Sequence, residues 1–241
     1  LYNFVTNPFT SQAKINYYKL VEATKMAVTA LDEILDYGYD MQPLDANRKC
    51  IDDWRAIGGG IFGLADALIA MGLRYGSKES IVAASDIMRT IKEAAISKSC
   101  DLAKEKGAFG KYNWEYIKES PLIKSLPKAL YEKVKECGLR NGSLLSIAPT
   151  GSLSSMTGIS GGAEPLFAIS YDRTTHALQA EGKFFKVFAK SVEDLLLAHG
   201  LHTNEITEQA IREMFPYVVA SHDISPADRI KMQAALQEHV D

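Results

Sequence analysis

The apolar run Leu144-Leu145-Ser146-Ile147-Ala148 stops abruptly at Pro149, and Thr150, Gly151 and a cluster of serines follow, so that 146–155 reads SIAPTGSLSS. A short run that is apolar on both faces predicts a strand over 143–148 in a buried parallel sheet. Proline ends such a ladder because it carries no N–H. Glycine lets the backbone turn and approach a ligand closely. The stretch therefore predicts a tight strand-to-helix turn. The first N–H groups of the helix have no intrahelical acceptor. Together they carry about half a positive charge, so an anion settles there. Thr150, Ser152 and Ser154 can add hydroxyl donors. No lysine stands in the turn and no G-x-x-x-x-G-K is present, so a phosphate held here would be held by backbone dipoles and hydroxyls. A plain N-capped helix is the competing reading, since Ser and Thr are common caps.

The rest of the chain alternates long helical patterns with short apolar runs. The 3–4 spacing predicts helices over about 11–36, from near Ile61 to Gly72 or Gly76, from a Ser77 cap to Lys106 with Gly107 as the stop, and from 125–127 to Cys137 with Gly138 beyond it. Residues 40–53, with Pro43, read as a polar connection. Further strands are expected at 166–170 and 217–220, separated by helices over about 187–199 and 205–214. Ser225-Pro226-Ala227-Asp228 is a helix start, with a serine cap, proline at the first position and an acid at the third. Buried strands alternating with helices mean α/β, with a barrel or an open doubly wound sheet as the choices. No internal repeat stands out.

Composition narrows the function. The 241 residues carry a net charge of -3, with 46% apolar and 24% charged residues, as in an ordinary globular protein. No apolar run approaches the roughly 20 residues of a membrane span, and no basic patch suggests nucleic-acid binding. Cys50, Cys100 and Cys137 stand far apart without metal spacing, which predicts idle thiols in a reducing, cytoplasmic setting. His176, His199, His202, His222 and His239 likewise show no metal spacing. The chain opens on Leu1 and stops at Asp241 within a helical pattern, which predicts a portion of a longer protein.

From 143 to 173 the sequence SLLSIAPTGSLSSMTGISGGAEPLFAISYDR resembles the large catalytic subunit of the ribonucleotide reductases, and SIAPTGS is more similar to the adenosylcobalamin-dependent class than to the iron-dependent one. LYNFVTNPFT at the start, RAIGGGIFGLADALIAMGLRYGS at 55–77 and VVASHDISPADRIKMQAALQEHVD at 218–241 resemble other segments of that family, in collinear order. The resemblance implies part of a ten-stranded α/β barrel, helix-rich, with 1–241 as a single central to C-terminal portion. It implies that Pro149, Thr150, Gly151, Ser152 and Leu153 bind the phosphates of a ribonucleoside di- or triphosphate. For the full enzyme it implies adenosylcobalamin, thiyl-radical reduction of the ribose and a thioredoxin-type reductant. A homodimer is an expected assembly, because open strand edges invite self-association.

The family's radical cysteine lies in an Asn-x-Cys-x-Glu pattern, and this sequence has none. None of the three cysteines is therefore assigned a catalytic role, no metal ligand is assigned, and the 241 residues alone are expected to be inactive. Glu164, in an acid-proline pair, reads either as a residue near the substrate or as a turn acid. The iron-dependent class and a non-catalytic nucleotide-binding module remain the alternatives.

Overall fold

The structure is a computed structural model that describes residues 1–175, 183–203 and 206–240. In chain order the elements are β1 (Val5–Thr6), β2 (Lys14–Ile15), α1 (Tyr17–Gly38), α2 (Asp45–Trp54), α3 (Leu64–Ala70), α4 (Lys78–Lys106), α5 (Trp114–Ile117), α6 (Pro121–Lys124), α7 (Lys128–Cys137), α8 (Gly151–Thr157), β3 (Ser170–Thr175), β4 (Lys183–Phe188), α9 (Lys190–Ala198), α10 (Glu208–Met214) and α11 (Pro226–Gln237). No helix among the described residues is long and apolar enough to cross a membrane.

Local chemistry explains the boundaries that the sequence marks. Ser77 Oγ accepts the Ser80 N–H at the start of α4, and Gly107 ends that helix at φ 87°. Ser225 Oγ accepts the Asp228 N–H at the start of α11, with Pro226 at its first position. Thr207 Oγ1 accepts the Ala210 N–H and caps α10; Glu205, where that helix was expected to begin, lies outside the described residues.

Several expectations are corrected. The helix expected from residue 11 begins at Tyr17, because Val5 and Thr6 pair antiparallel with Ile15 and Lys14. Residues 45–53 of the expected polar connection are helical, as part of α2. Pro43 precedes the helix, where it removes no helical hydrogen bond, and the i,i+3 pair Arg48–Asp45 and the i,i+4 pair Lys49–Asp53 support it by a few tenths of a kcal/mol each. Val187 and Phe188 belong to β4, which pairs antiparallel with β3, and the helix begins at Lys190. The helix expected from Ile61 is α3, shortened to seven residues by the left-handed Gly63 before it.

The expected parallel strands form only isolated parallel bridges, Gly59 with Leu145 and Leu166 with Ala220. Among the described residues the named strands make two antiparallel pairs and no closed ten-stranded barrel. Glycines at 58–60 and proline at 149 keep the first pairing short.

Two compact units emerge. The first comprises 1–16, 61–84 and 148–234, the second 17–60, 85–147 and 235–241. In the first, α3 is buried along its whole length and packs on α9 and on the 3-10 turn Tyr2–Phe4. Leu64, Leu68, Val192, Leu195, Leu196 and Ile211 form its core. In the second, the apolar face of α4, with Ile87, Met88, Ala95 and Ile96, is fully buried.

The second unit also buries a charge cluster. Asp32 of α1 is fully buried, and its Oδ1 accepts two bonds from Arg55, at 2.7 and 3.0 Å, and one from Asn141 Nδ2 at 3.2 Å. Arg140 Nε lies 3.4 Å from Oδ2. Arg55 also reaches Asp36 at 2.7 Å. Removing one partner from such a group strands buried charge. Asp32→Ala is therefore expected to lower unfolding free energy by about 3–5 kcal/mol in a urea titration. Burial pushes the Asp36 carboxyl up, but hydrogen bonds from Arg55 and Lys106 outweigh it and hold the group below the usual carboxylate range. Its stabilising contribution is thus full above pH ~4 and is lost as the pH falls through its lowered folded value.

Cys100 is buried on α4, and burial pushes its thiol up to about 12, whereas Cys50 is exposed on α2. The thiolate is the reactive form. Iodoacetamide at neutral pH is expected to label Cys50 in the folded chain and Cys100 only after unfolding, as read by peptide mass spectrometry.

Candidate anion-binding turn

Thr150 is the N-cap of α8 and is left-handed, with φ 51° and ψ 28°. A threonine pays a conformational penalty there, and the surrounding loop holds it. The Gly162 N–H donates to Thr150 Oγ1 at 2.8 Å. The two segments, 148–150 and 161–162, are in backbone contact at this point. A Cβ on Gly161 would come within 2.8 Å of Pro149 O, and one on Gly162 within 2.7 Å of Ala148 O. Only residues without a Cβ fit, which explains why GG stands here.

The turn leaves its amides open. Ser154 N–H donates to Thr150 O, but among the described residues no acceptor meets the amides of Gly151, Ser152 and Leu153. Gly151 faces open space, with no atom within 4 Å of a Cβ placed on it. It lines a cavity of about 670 Å³ together with Pro149, Ser154, Ser155, Glu164 and Lys190.

The five expected site residues separate in this geometry. Pro149 and Gly151 line the cavity, and Thr150 shapes the turn. Ser152 and Leu153 carry exposed side chains that do not line the cavity, so they can contribute through their amides. Ser154, read as an extra hydroxyl donor, gives its O–H to the Gly151 carbonyl at 2.9 Å. Glu164 lines the cavity, and its backbone N–H, not its carboxylate, closes a turn on Gly161 O at 2.9 Å.

Lys190 was not visible as a site residue. It arrives from the start of α9, forty positions after the turn, and pairs with Asp194 at 3.2 Å. It supplies a cation to a cavity whose turn has none, beside the carboxylates of Glu164 and Glu193. Ser160 and Asp66 were also missed, because their link to the turn runs through long-range hydrogen bonds. Among the described residues no group of His, Cys, Asp and Glu is placed to hold a metal ion. His199 Nδ1 sits 2.9 Å from Leu195 O and its ring packs edge-on against Phe215; His176 lies outside the described residues.

Comparison with known proteins gives this turn its context. The chain is 30% identical over 241 residues to the vitamin B12-dependent ribonucleoside-diphosphate reductase of Mycobacterium tuberculosis, covering 96% of this chain and 32% of that protein. It is 28% identical to the Thermoplasma acidophilum protein of the same name, covering 95% of this chain and 28% of the relative. The ribonucleoside-diphosphate reductase large subunit of Danio rerio is 30% identical over 214 residues, covering 85% of this chain and 26% of that subunit. The chain thus spans about a third of the length of the relatives it matches. The family described as "Ribonucleotide reductase, barrel domain" matches residues 1–241. A family match over residues 1–241, with a relative 30% identical over 96% of the chain, means that this chain belongs to the ribonucleotide reductase barrel-domain family.

Proposed function

We propose that this chain is the central to C-terminal portion of the catalytic barrel of an adenosylcobalamin-dependent ribonucleotide reductase, and that its turn at 149–153 holds the substrate phosphates. The observation that carries the reading is the family match over 1–241, together with relatives named vitamin B12-dependent. The open amides of Gly151, Ser152 and Leu153 beside the cavity support the phosphate assignment. The substrate on this reading is a ribonucleoside di- or triphosphate.

The chain's own residues bind and orient. Backbone N–H groups at the start of α8 donate to phosphate oxygens, as helix starts do. Thr150 fixes the direction of those N–H groups through its bond with Gly162. Lys190, half exposed at the cavity, adds a cation whose strength is screened by solvent and by Asp194. When bound, adenosylcobalamin supplies the radical chemistry of the full enzyme. On this reading the 241 residues alone do not hold that cofactor, and no step runs through it. The ten-stranded barrel, the thioredoxin-type reductant, the homodimer and a cytoplasmic setting with Cys50, Cys100 and Cys137 as free thiols belong to the same proposal.

Gly151→Val is expected to weaken nucleoside diphosphate binding by the full-length reductase. The added bulk blocks close approach to the amides, and loss of a charge-assisted hydrogen bond costs about 1.5–3 kcal/mol. Isothermal calorimetry reads this directly, and an unchanged affinity removes the turn from the substrate site. The cofactor class is tested separately. The full-length protein is expected to turn over with adenosylcobalamin and a dithiol reductant. The iron-dependent class is the second reading; turnover only with an iron-containing partner subunit would establish it.

A further inference from the structure

The carboxylate of Asp66 is fully buried in the first turn of α3, a helix otherwise made of Leu, Ala and Ile. No lysine, arginine or histidine among the described residues forms a salt bridge with it, and the Leu1 ammonium, which donates to Phe62 O, acts on it only through space. Its two oxygens are instead divided between two neutral donors. Oδ2 accepts the backbone N–H of Ser160 at 2.7 Å, and Oδ1 accepts the hydroxyl of Ser191 on α9 at 2.6 Å. A buried charge is tolerated only when strong hydrogen bonds replace its hydration, so this arrangement specifies where residue 160 sits.

Ser160 is gripped at both of its backbone groups. The Gly63 N–H donates to Ser160 O at 2.8 Å, from the N-cap of the same helix. The Ser160 hydroxyl plays no part in this, being buried without a hydrogen-bond partner among the described residues. One and two residues later come Gly161 and Gly162, whose backbone lies against Pro149 O and Ala148 O, and the Gly162 N–H holds left-handed Thr150. The path from Asp66 to the turn is therefore continuous: carboxylate, Ser160 amide, glycine pair, Thr150.

We propose that Asp66 is a positioning residue that sets the phosphate-binding turn by clamping Ser160 and, through it, the glycine pair. This rests on the reading of 149–153 as the phosphate turn. Asp66 itself touches no substrate atom in this scheme; it acts only through the 160–162 loop.

The test compares affinities of the full-length reductase for a nucleoside diphosphate and for the same nucleoside without phosphates, by calorimetry. Asp66→Ala is expected to weaken the diphosphate by about tenfold or more, the worth of a hydrogen bond to a charged group, and to leave the nucleoside unchanged. Asp66→Asn keeps an acceptor for the Ser160 N–H and can donate to Ser191 Oγ, so it is expected to restore most of the diphosphate affinity. A general loss of structure would instead weaken both ligands together and would not be rescued by asparagine; that outcome overturns the proposal. So does an unchanged diphosphate affinity in folded Asp66→Ala when Gly151→Val weakens it. An unchanged affinity in Gly151→Val is a different failure, that of the turn reading itself. Should Asp66→Ala not fold, Ser191→Ala decides. A selective loss of diphosphate affinity in that variant supports the clamp, and an unaltered one overturns it.

Discussion

The site depends on a backbone-to-backbone contact that no side chain could survive. Gly161 and Gly162 lie so close to the carbonyls of Pro149 and Ala148 that a single added carbon at either would fall inside van der Waals distance. That contact brings the Gly162 N–H to Thr150 Oγ1 and holds threonine in a left-handed conformation. With Thr150 turned this way, α8 starts with first amides that meet no acceptor among the described residues. The anion-binding character proposed for the turn is thus a product of two segments pressed together. An isolated seven-residue helix could not define it.

Among the described residues each compact unit carries one fully buried aspartate, and the two are stabilised in opposite ways. Asp32 is surrounded by cations and an amide, with Arg55 reaching it through two nitrogens and Arg140 and Asn141 completing the set. Such a cluster ties together segments of the second unit at the cost of desolvating several charges. Asp66 has only an amide and a hydroxyl, both from other segments of the first unit. Its bonds are fewer but more directional, which suits a group that fixes the place of a loop.

How much was legible follows from the range of each interaction. The Pro149–Gly151 break, the Ser77 and Ser225 caps and the Gly107 stop are matters of a few neighbouring residues, and the structure has them where the sequence put them. The family resemblance was legible in the same turn and glycine-rich segments, and the match over 1–241 agrees with it. The α2 helix was misread because Pro43 and a dense run of charges look like a loop, although proline lies outside the helix and the charges pair along it. The strand β4 was misread because Val187 and Phe188 run directly into the apolar face of α9, and periodicity cannot divide two adjoining apolar segments.

The sequence by itself determined the turn, its glycines, most helix ends and the family, because each is encoded by residues close together along the chain. Only the tertiary structure decided that Lys190 reaches the cavity, that Ser154 keeps its hydroxyl within α8, and that Asp66 meets Ser160 and Ser191 across separations of 94 and 125 residues. The physical reason is that a hydrogen bond between distant segments leaves no periodic trace in either one. It exists only when packing of the apolar helix faces has brought both donors and the acceptor together out of water.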